Sequence, residues 1–183
     1  MKARKNGTNL LGIPFHFCFI FLLFASPFQL QADSPDLRYL NAINSPEQTG
    51  DRFWKDVSNS VVYTSFGTPL TLYAAGRLSH DSVLVQDAYI SLGALAITGA
   101  ATWILKTAVK RPRPFDDHPE EIFKKGTGGG YSFPSGHTSS AFSTATSLSL
   151  VFPKWYVIAP AYTYAVMVGY SRMYLGVHYP SDV

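Results

Sequence analysis

The stretch "AYISLGALAITGAATWIL", Ala88 to Leu105, runs without a charge until Lys106. A run of that length is too long for an ordinary strand and reads as a helix. Three further uncharged, apolar segments accompany it: Val61 to Gly76 before, and Thr138 to Phe152 and Trp155 to Tyr170 after. Short punctuation separates them, "SHDSVLVQD", the Pro- and Gly-rich "RPRPFDDHPEEIFKKGTGGGYSFP", and "PK". The fold class that follows is all-α, a multi-helix bundle. A membrane span needs about 20 residues, which Ala88 to Val109 supplies, whereas the other segments reach it only with their flanks. Gly, Ser, Thr and Ala recur inside the helices, as they do where helices approach closely in a bilayer. A membrane-embedded bundle is the favoured reading, and a tightly packed soluble bundle is the alternative.

The 183 residues, 46% of them hydrophobic, supply one domain with a real core. A formal charge of +3 is too small to argue for nucleic acid, and no nucleic-acid partner is expected. At the N-terminus, Lys2, Arg4 and Lys5 lead into "LLGIPFHFCFIFLLFASPF" and then "QLQA". This reads as an export signal cut after Ala32, or as an uncleaved anchor helix, since Leu30 is large for a cleavage site. The chain then divides into a signal or anchor over 1–32, a polar lead-in over 33–60 and a helical domain over 61–183. Cys18 is the only cysteine, so nothing beyond the leader relies on disulfides or thiolate chemistry.

The connecting stretches hold the chemistry. In "LKTAVKRPRPF", Lys106 and Arg113 bracket Lys110 and Arg111, four cations in eight positions that repel one another unless an anion sits among them. Pro112 and Pro114 hold the backbone of Arg113 extended; a basic membrane flank is the plainer account. In "PSGHTSSAF", Ser135 is a good N-cap for a helix carrying Ala141, Phe142, Ala145 and Leu148 on one stripe. Gly136 and His137 fall in its first turn, where free N–H groups and the helix dipole favour an anion, and His137 is a candidate proton donor. The ordinary alternative is a capped helix with a surface histidine. In "SRMYLGVHYPSD", a carboxylate at Asp182 can orient the imidazole of His178 and make it a nucleophile candidate, with Arg172 close by in sequence and Pro180 suited to open a new helix. A loop histidine beside a capping aspartate is the alternative there.

Taken together, Lys106 and Arg113, then Pro134 to His137, then Arg172, His178 and Asp182 closely resemble the signature of the type 2 phosphatidic acid phosphatase superfamily, which also includes bacterial acid phosphatases and vanadium haloperoxidases. The resemblance implies that Lys106, Arg113 and Arg172 bind phosphate together with the amide and hydroxyl of Ser135 and Gly136. It further implies that His178 attacks phosphorus, that Asp182 orients it, and that His137 protonates the leaving alcohol, with no metal and no cofactor. The substrate expected is a lipid phosphate or pyrophosphate, or a small phosphate ester in the soluble case. Vanadate in the same pocket would make a haloperoxidase, and an envelope protein that only binds anionic head groups is a third reading.

Five smaller expectations complete the reading. "DDHPEE" packs Asp116, Asp117, His118, Glu120 and Glu121 together and offers a divalent-metal alternative, against which stand Pro119 and the solvated look of the loop. "KKGTGGG" reads as a floppy connector or a lid hinge, and His16 and His80 receive no role. If the leader crosses outward, alternation of the helices puts all three motifs on one outer face, in the cell envelope. Finally, the family continues past Asp182 with a further helix; here only Val183 follows, so Asp182 is expected to be poorly held and the chain alone poorly stable or weakly active.

Overall fold

A computed structural model describes residues 35–183; the leader, with Cys18 and His16, lies outside the described residues. The elements are α1 (Pro35–Ile43), α2 (Asp51–Leu78), α3 (Ser82–Val109), α4 (Pro114–Asp117), α5 (Gly136–Val151) and α6 (Trp155–Tyr174), followed by a 3-10 turn (Pro180–Asp182). No strand occurs among the described residues. Each long helix outruns its uncharged segment. The largest gain is in α2, which starts at Asp51, ten residues ahead of Val61. Charged flanks such as Arg52 and Lys55 continue the helix without interrupting it, because long unbranched charged side chains are good helix formers.

The bundle is built inside out relative to a soluble protein. In α2 the buried positions are Ser58, Val61, Ser65, Pro69, Leu72 and Gly76, a stripe at helical spacing dominated by small residues. In α3 they are Ala88, Ser91 and Thr102. The large side chains point outward: Tyr63, Phe66 and Leu70 on α2, and Ile90, Ile97, Trp103 and Ile104 on α3 are all exposed. Small inner faces let the helices approach, and hydroxyls tie them together. Tyr164 Oη shares hydrogen bonds with Ser60 at 2.7 Å and Thr64 at 3.1 Å, and Thr144 donates to Ser65 Oγ at 3.3 Å. An apolar exterior around a small, polar interior is the arrangement a bilayer favours. Among the described residues, one helix, α3, is long and apolar enough to cross a membrane.

The α-helical core proper is a cluster of Val61, Ala141, Ala145, Ala165 and Val168 where α2, α5 and α6 meet. A second cluster lies beneath the site: Leu37 and Leu40 of α1 pack against Ile122 and Tyr179. This second cluster sets α1 against the last turn of the chain.

Candidate active site

Three capping events place the site at one end of the bundle. Asp81 caps α3 by accepting from Val83 N and Leu84 N, and α3 then runs to Lys106 in its last turn. The chain leaves through Lys110, whose φ is +53°, and reaches Arg113, extended at φ −83° and ψ 153° with Pro114 opening α4. Ser135 caps α5, its Oγ accepting from Thr138 Oγ1 at 2.9 Å and Thr138 N at 3.4 Å. At the far end, Gly176 turns the chain at φ +70°, where an added Cβ would lie 2.4 Å from the Phe123 carbonyl. That turn delivers His178, and the 3-10 turn opened by Pro180 delivers Asp182.

The three motifs meet. The Ser135 N–H donates to the Asp182 carbonyl at 2.9 Å, joining the start of α5 to the end of the chain. Arg113 Nη1 lies 3.3 Å from His178 Nε2, and the other face of that ring puts Nδ1 3.5 Å from Asp182 Oδ2. The latter is an ion-pair distance slightly beyond a hydrogen bond, and Nδ1 has no hydrogen-bond partner among the described residues. Arg172, 2% exposed, donates from Nη1 to Ser58 Oγ and from Nη2 to the Thr127 carbonyl at 2.7 Å. Its Nε is buried with no partner among the described residues. Lys106 Nζ donates to the carbonyls of Tyr131 at 2.8 Å and Ser132 at 3.0 Å, alongside the turn that precedes α5. At Gly136, partly buried, an added Cβ would meet only Thr102 Cγ2, in ordinary contact at 3.7 Å.

Electrostatics bind the same residues into one unit. Burial pushes the imidazole of His178 down to about 4; Asp182 opposes this, and Arg113 and Arg172 add to it. His137 stands just ahead of the apolar run of α5. Burial, then the charges of Arg172, His178, Arg113 and Lys106, push it down to about 4 as well. Burial raises the Asp182 carboxyl, yet His178, Arg111 and the Tyr179 N–H outweigh it and hold the group below its ordinary value. Burial first, and the positive charge gathered around it second, drive both histidines toward neutrality, and that surplus of cations favours an anion. The N-terminus of α5 adds its dipole to that field.

Several sequence expectations are corrected here. The "GTGGG" stretch is no floppy connector, because its carbonyls are the acceptors for buried guanidinium groups. Arg113 Nε and Nη2 donate to Gly130 and Gly129 at 3.1 and 3.0 Å, and an added Cβ on Gly128 would meet Arg113 Nη1 at 2.9 Å. Asp182 is not loosely held either. Its Oδ1 accepts from Arg111 Nη1 at 2.7 Å, its Oδ2 from Tyr179 N at 2.8 Å, and its side chain is fully buried. Arg111, counted in the sequence only as one of four cations, turns away from the others toward Asp182 and Asp36. Nothing in its spacing marks it, since Asp36 lies 75 residues away in the chain. The acidic loop is engaged in packing: Asp117 accepts from Tyr179 Oη at 3.2 Å and Glu121 from Asn41 at 2.7 Å. Among the described residues no group of three or more His, Cys, Asp or Glu side chains is placed to hold a metal ion.

A cluster of cations, a buried His–Asp pair and a second histidine at a helix N-terminus thus meet at one end of the helical bundle. Comparison with known proteins gives the family. The model of the PAP2 superfamily matches residues 87–183. Lipid A 1-phosphatase of Rhizobium johnstonii is 28% identical over 206 residues, covering all of this chain and 79% of that protein. Lipid A 4'-phosphatase of Bacteroides thetaiotaomicron is 30% identical over 161 residues, 82% of this chain and 68% of that one. In structure, Aquifex aeolicus LpxE superposes with a TM-score of 0.70 at 27% identity, over 84% of this chain and 88% of that one. A transmembrane PAP2 type phosphatidylglycerolphosphate phosphatase from Bacillus subtilis shares the fold, with a TM-score of 0.69 at 22% identity over 91% of this chain and 84% of that one. The chain belongs to the PAP2 superfamily, and is an enzyme of its phosphoric monoester hydrolase class.

Proposed function

We propose that this protein removes phosphate from a membrane lipid, a lipid phosphate monoester or pyrophosphate, through a phosphohistidine on His178 and without a metal ion. The observation that carries the reading is the His178 ring, with Nδ1 facing Asp182 and Nε2 facing Arg113 in a pocket that keeps the imidazole neutral. A neutral imidazole has a lone pair for attack, and a carboxylate on its far side fixes the tautomer with the proton on Nδ1 and stabilises the cation that forms.

A phosphate monoester near neutral pH carries close to two negative charges. Lys106, Arg113 and Arg172, with the N–H groups at the start of α5, hold its equatorial oxygens and stabilise them during in-line transfer. Arg172 Nε is suited to this because an oxygen of the substrate supplies the acceptor it lacks. Attack by Nε2 on phosphorus breaks the bond to the leaving oxygen, and His137 supplies the proton that this oxygen takes. For that step His137 must be protonated, and the bound dianion favours this by offsetting the cations that lower its pKa. Water then attacks the phosphohistidine, with His137 as base. The lipid substrate class is supported by the outward-facing apolar residues of α2 and α3 beside the site and by the names of the relatives, lipid A phosphatases among them. Helix alternation from an exported N-terminus supports an outward-facing site in the cell envelope.

The test is phosphate release from lipid and soluble esters with excess chelator, comparing the wild type with His178→Ala. The expected outcome is turnover that chelator leaves intact, preference for lipid esters, and loss of at least about a thousandfold in His178→Ala. Turnover by His178→Ala, or abolition by chelator, defeats the reading.

A further inference from the structure

Arg111 is half-buried beside the site, yet its guanidinium touches none of the groups proposed to hold phosphate. Its Nη1 donates to Asp182 Oδ1 at 2.7 Å and to Ser181 Oγ at 2.7 Å, and its Nη2 donates to Asp36 Oδ2 at 2.8 Å. The guanidinium carbon lies over the Tyr179 ring, 4.1 Å from its centroid. Asp36 in turn accepts from the Ser181 N–H at 3.1 Å and from Ser181 Oγ. A planar fork gripped on both edges and stacked on one face has little freedom to rotate.

From this geometry we infer that Arg111, anchored by Asp36 of α1, is a positioning residue that sets the Asp182 carboxylate for His178. The inference rests on the histidine reading above. The two oxygens of Asp182 have separate duties: Oδ1 belongs to Arg111, and Oδ2 belongs to the Tyr179 N–H and faces His178 Nδ1. The Asp182 side chain is fully buried, so removing Arg111 takes the one charged donor from Oδ1. Without Arg111 the carboxylate either rotates to find another donor or takes up a proton, and both outcomes withdraw the acceptor from Nδ1. A lysine at 111 restores the charge but cannot grip Asp182 and Asp36 as one rigid fork. The 3-10 turn that carries Asp182 is thereby tied to the helix that precedes α2, and α1 gains a part in catalysis without touching substrate.

The experiment is a cycle of Arg111→Gln, Asp182→Asn and the double variant, with Arg111→Lys, Asp36→Asn and His178→Ala alongside. All are assayed in full-length protein on an activated aryl phosphate, with turnover expressed per folded molecule by gel filtration and near-UV circular dichroism. Arg111→Gln is expected to lower kcat by about tenfold to a hundredfold with KM within about threefold. Arg111→Lys should recover part of that loss, and Asp36→Asn should cost less than Arg111→Gln. In the Asp182→Asn background, Arg111→Gln should add less than about threefold, because it acts through a group already removed. Losses that multiply in the double variant overturn the inference, as does a defect confined to KM, or normal kcat per folded molecule. If His178→Ala keeps its turnover, the histidine reading fails and carries this inference with it; multiplying losses with an inactive His178→Ala overturn the role of Arg111 alone.

Discussion

At His178, only 2% exposed, lost hydration penalises the imidazolium so heavily that the nearby carboxylate does not restore an ordinary pKa. An unfolded imidazole takes up its proton near 6.5, the folded one at about 4. Between those values the unfolded chain binds the extra proton, so acidification through this window weakens the fold, and His137 acts in the same direction. The expected outcome is a thermal midpoint that drops steadily from pH 6.5 to 4.5, with a shallower drop in His178→Gln. Carbon-13 labelled histidine spectra should show His178 neutral down to pH 5; a ring titrating near 6.5 would contradict the environment described. At this scale capping rules place Ser135, Gly136 and His137, and spacing sets Asp182 beside His178, whereas Lys106, Arg113 and Arg172 are tied to the same site only by the family resemblance. The pairing of Arg111 with Asp36 was not legible, since it depends on how α1 folds back.

At the scale of elements, α3 illustrates what apolar periodicity conveys and what it hides. The absence of charge from Ala88 to Leu105 announces a helix but does not say which face is inward. The structure buries Ser91 and Thr102 and leaves Ile97 72% exposed, so size selects the inner face. Two substitutions should therefore behave opposite to their effects in a soluble helix. Ser91→Leu, which overfills a close helix contact, should destabilise by about 1–3 kcal/mol. Ile97→Lys, harmless on a water-facing helix, should cost about 2.5–3.5 kcal/mol on insertion. Detergent-resistant folded yield and glycosylation-tag insertion assays measure the two. The "GTGGG" loop was misread for a related reason: glycine composition looks like freedom until the donors that fix its carbonyls are known, and Arg113 and Arg172 come from distant parts of the chain.

For the whole molecule, the exposed apolar surface of α2 and α3 makes a claim about the medium. Residues such as Leu78, Tyr63, Leu70 and Ile97 would each be unfavourable to hydrate, at roughly 25 cal/mol per Å² of apolar surface. The protein should sediment with membranes, resist carbonate extraction and need detergent to remain monodisperse; recovery in the soluble fraction without detergent would contradict the inside-out arrangement. The fold class was legible because helix length and lack of charge are local properties. That the three motifs share one face follows from helix alternation and from the family resemblance, but the contact that joins them, the Ser135 N–H on the Asp182 carbonyl, leaves no mark in the sequence. That link runs from main chain to main chain, so no ordinary exchange of side chains at either position removes it. Ser135→Ala loses a cap, and Asp182→Asn a charge, yet the arms that carry His137 and His178 stay in register. Proline at 135 is the one replacement that takes away the donor and lets the two histidines drift apart.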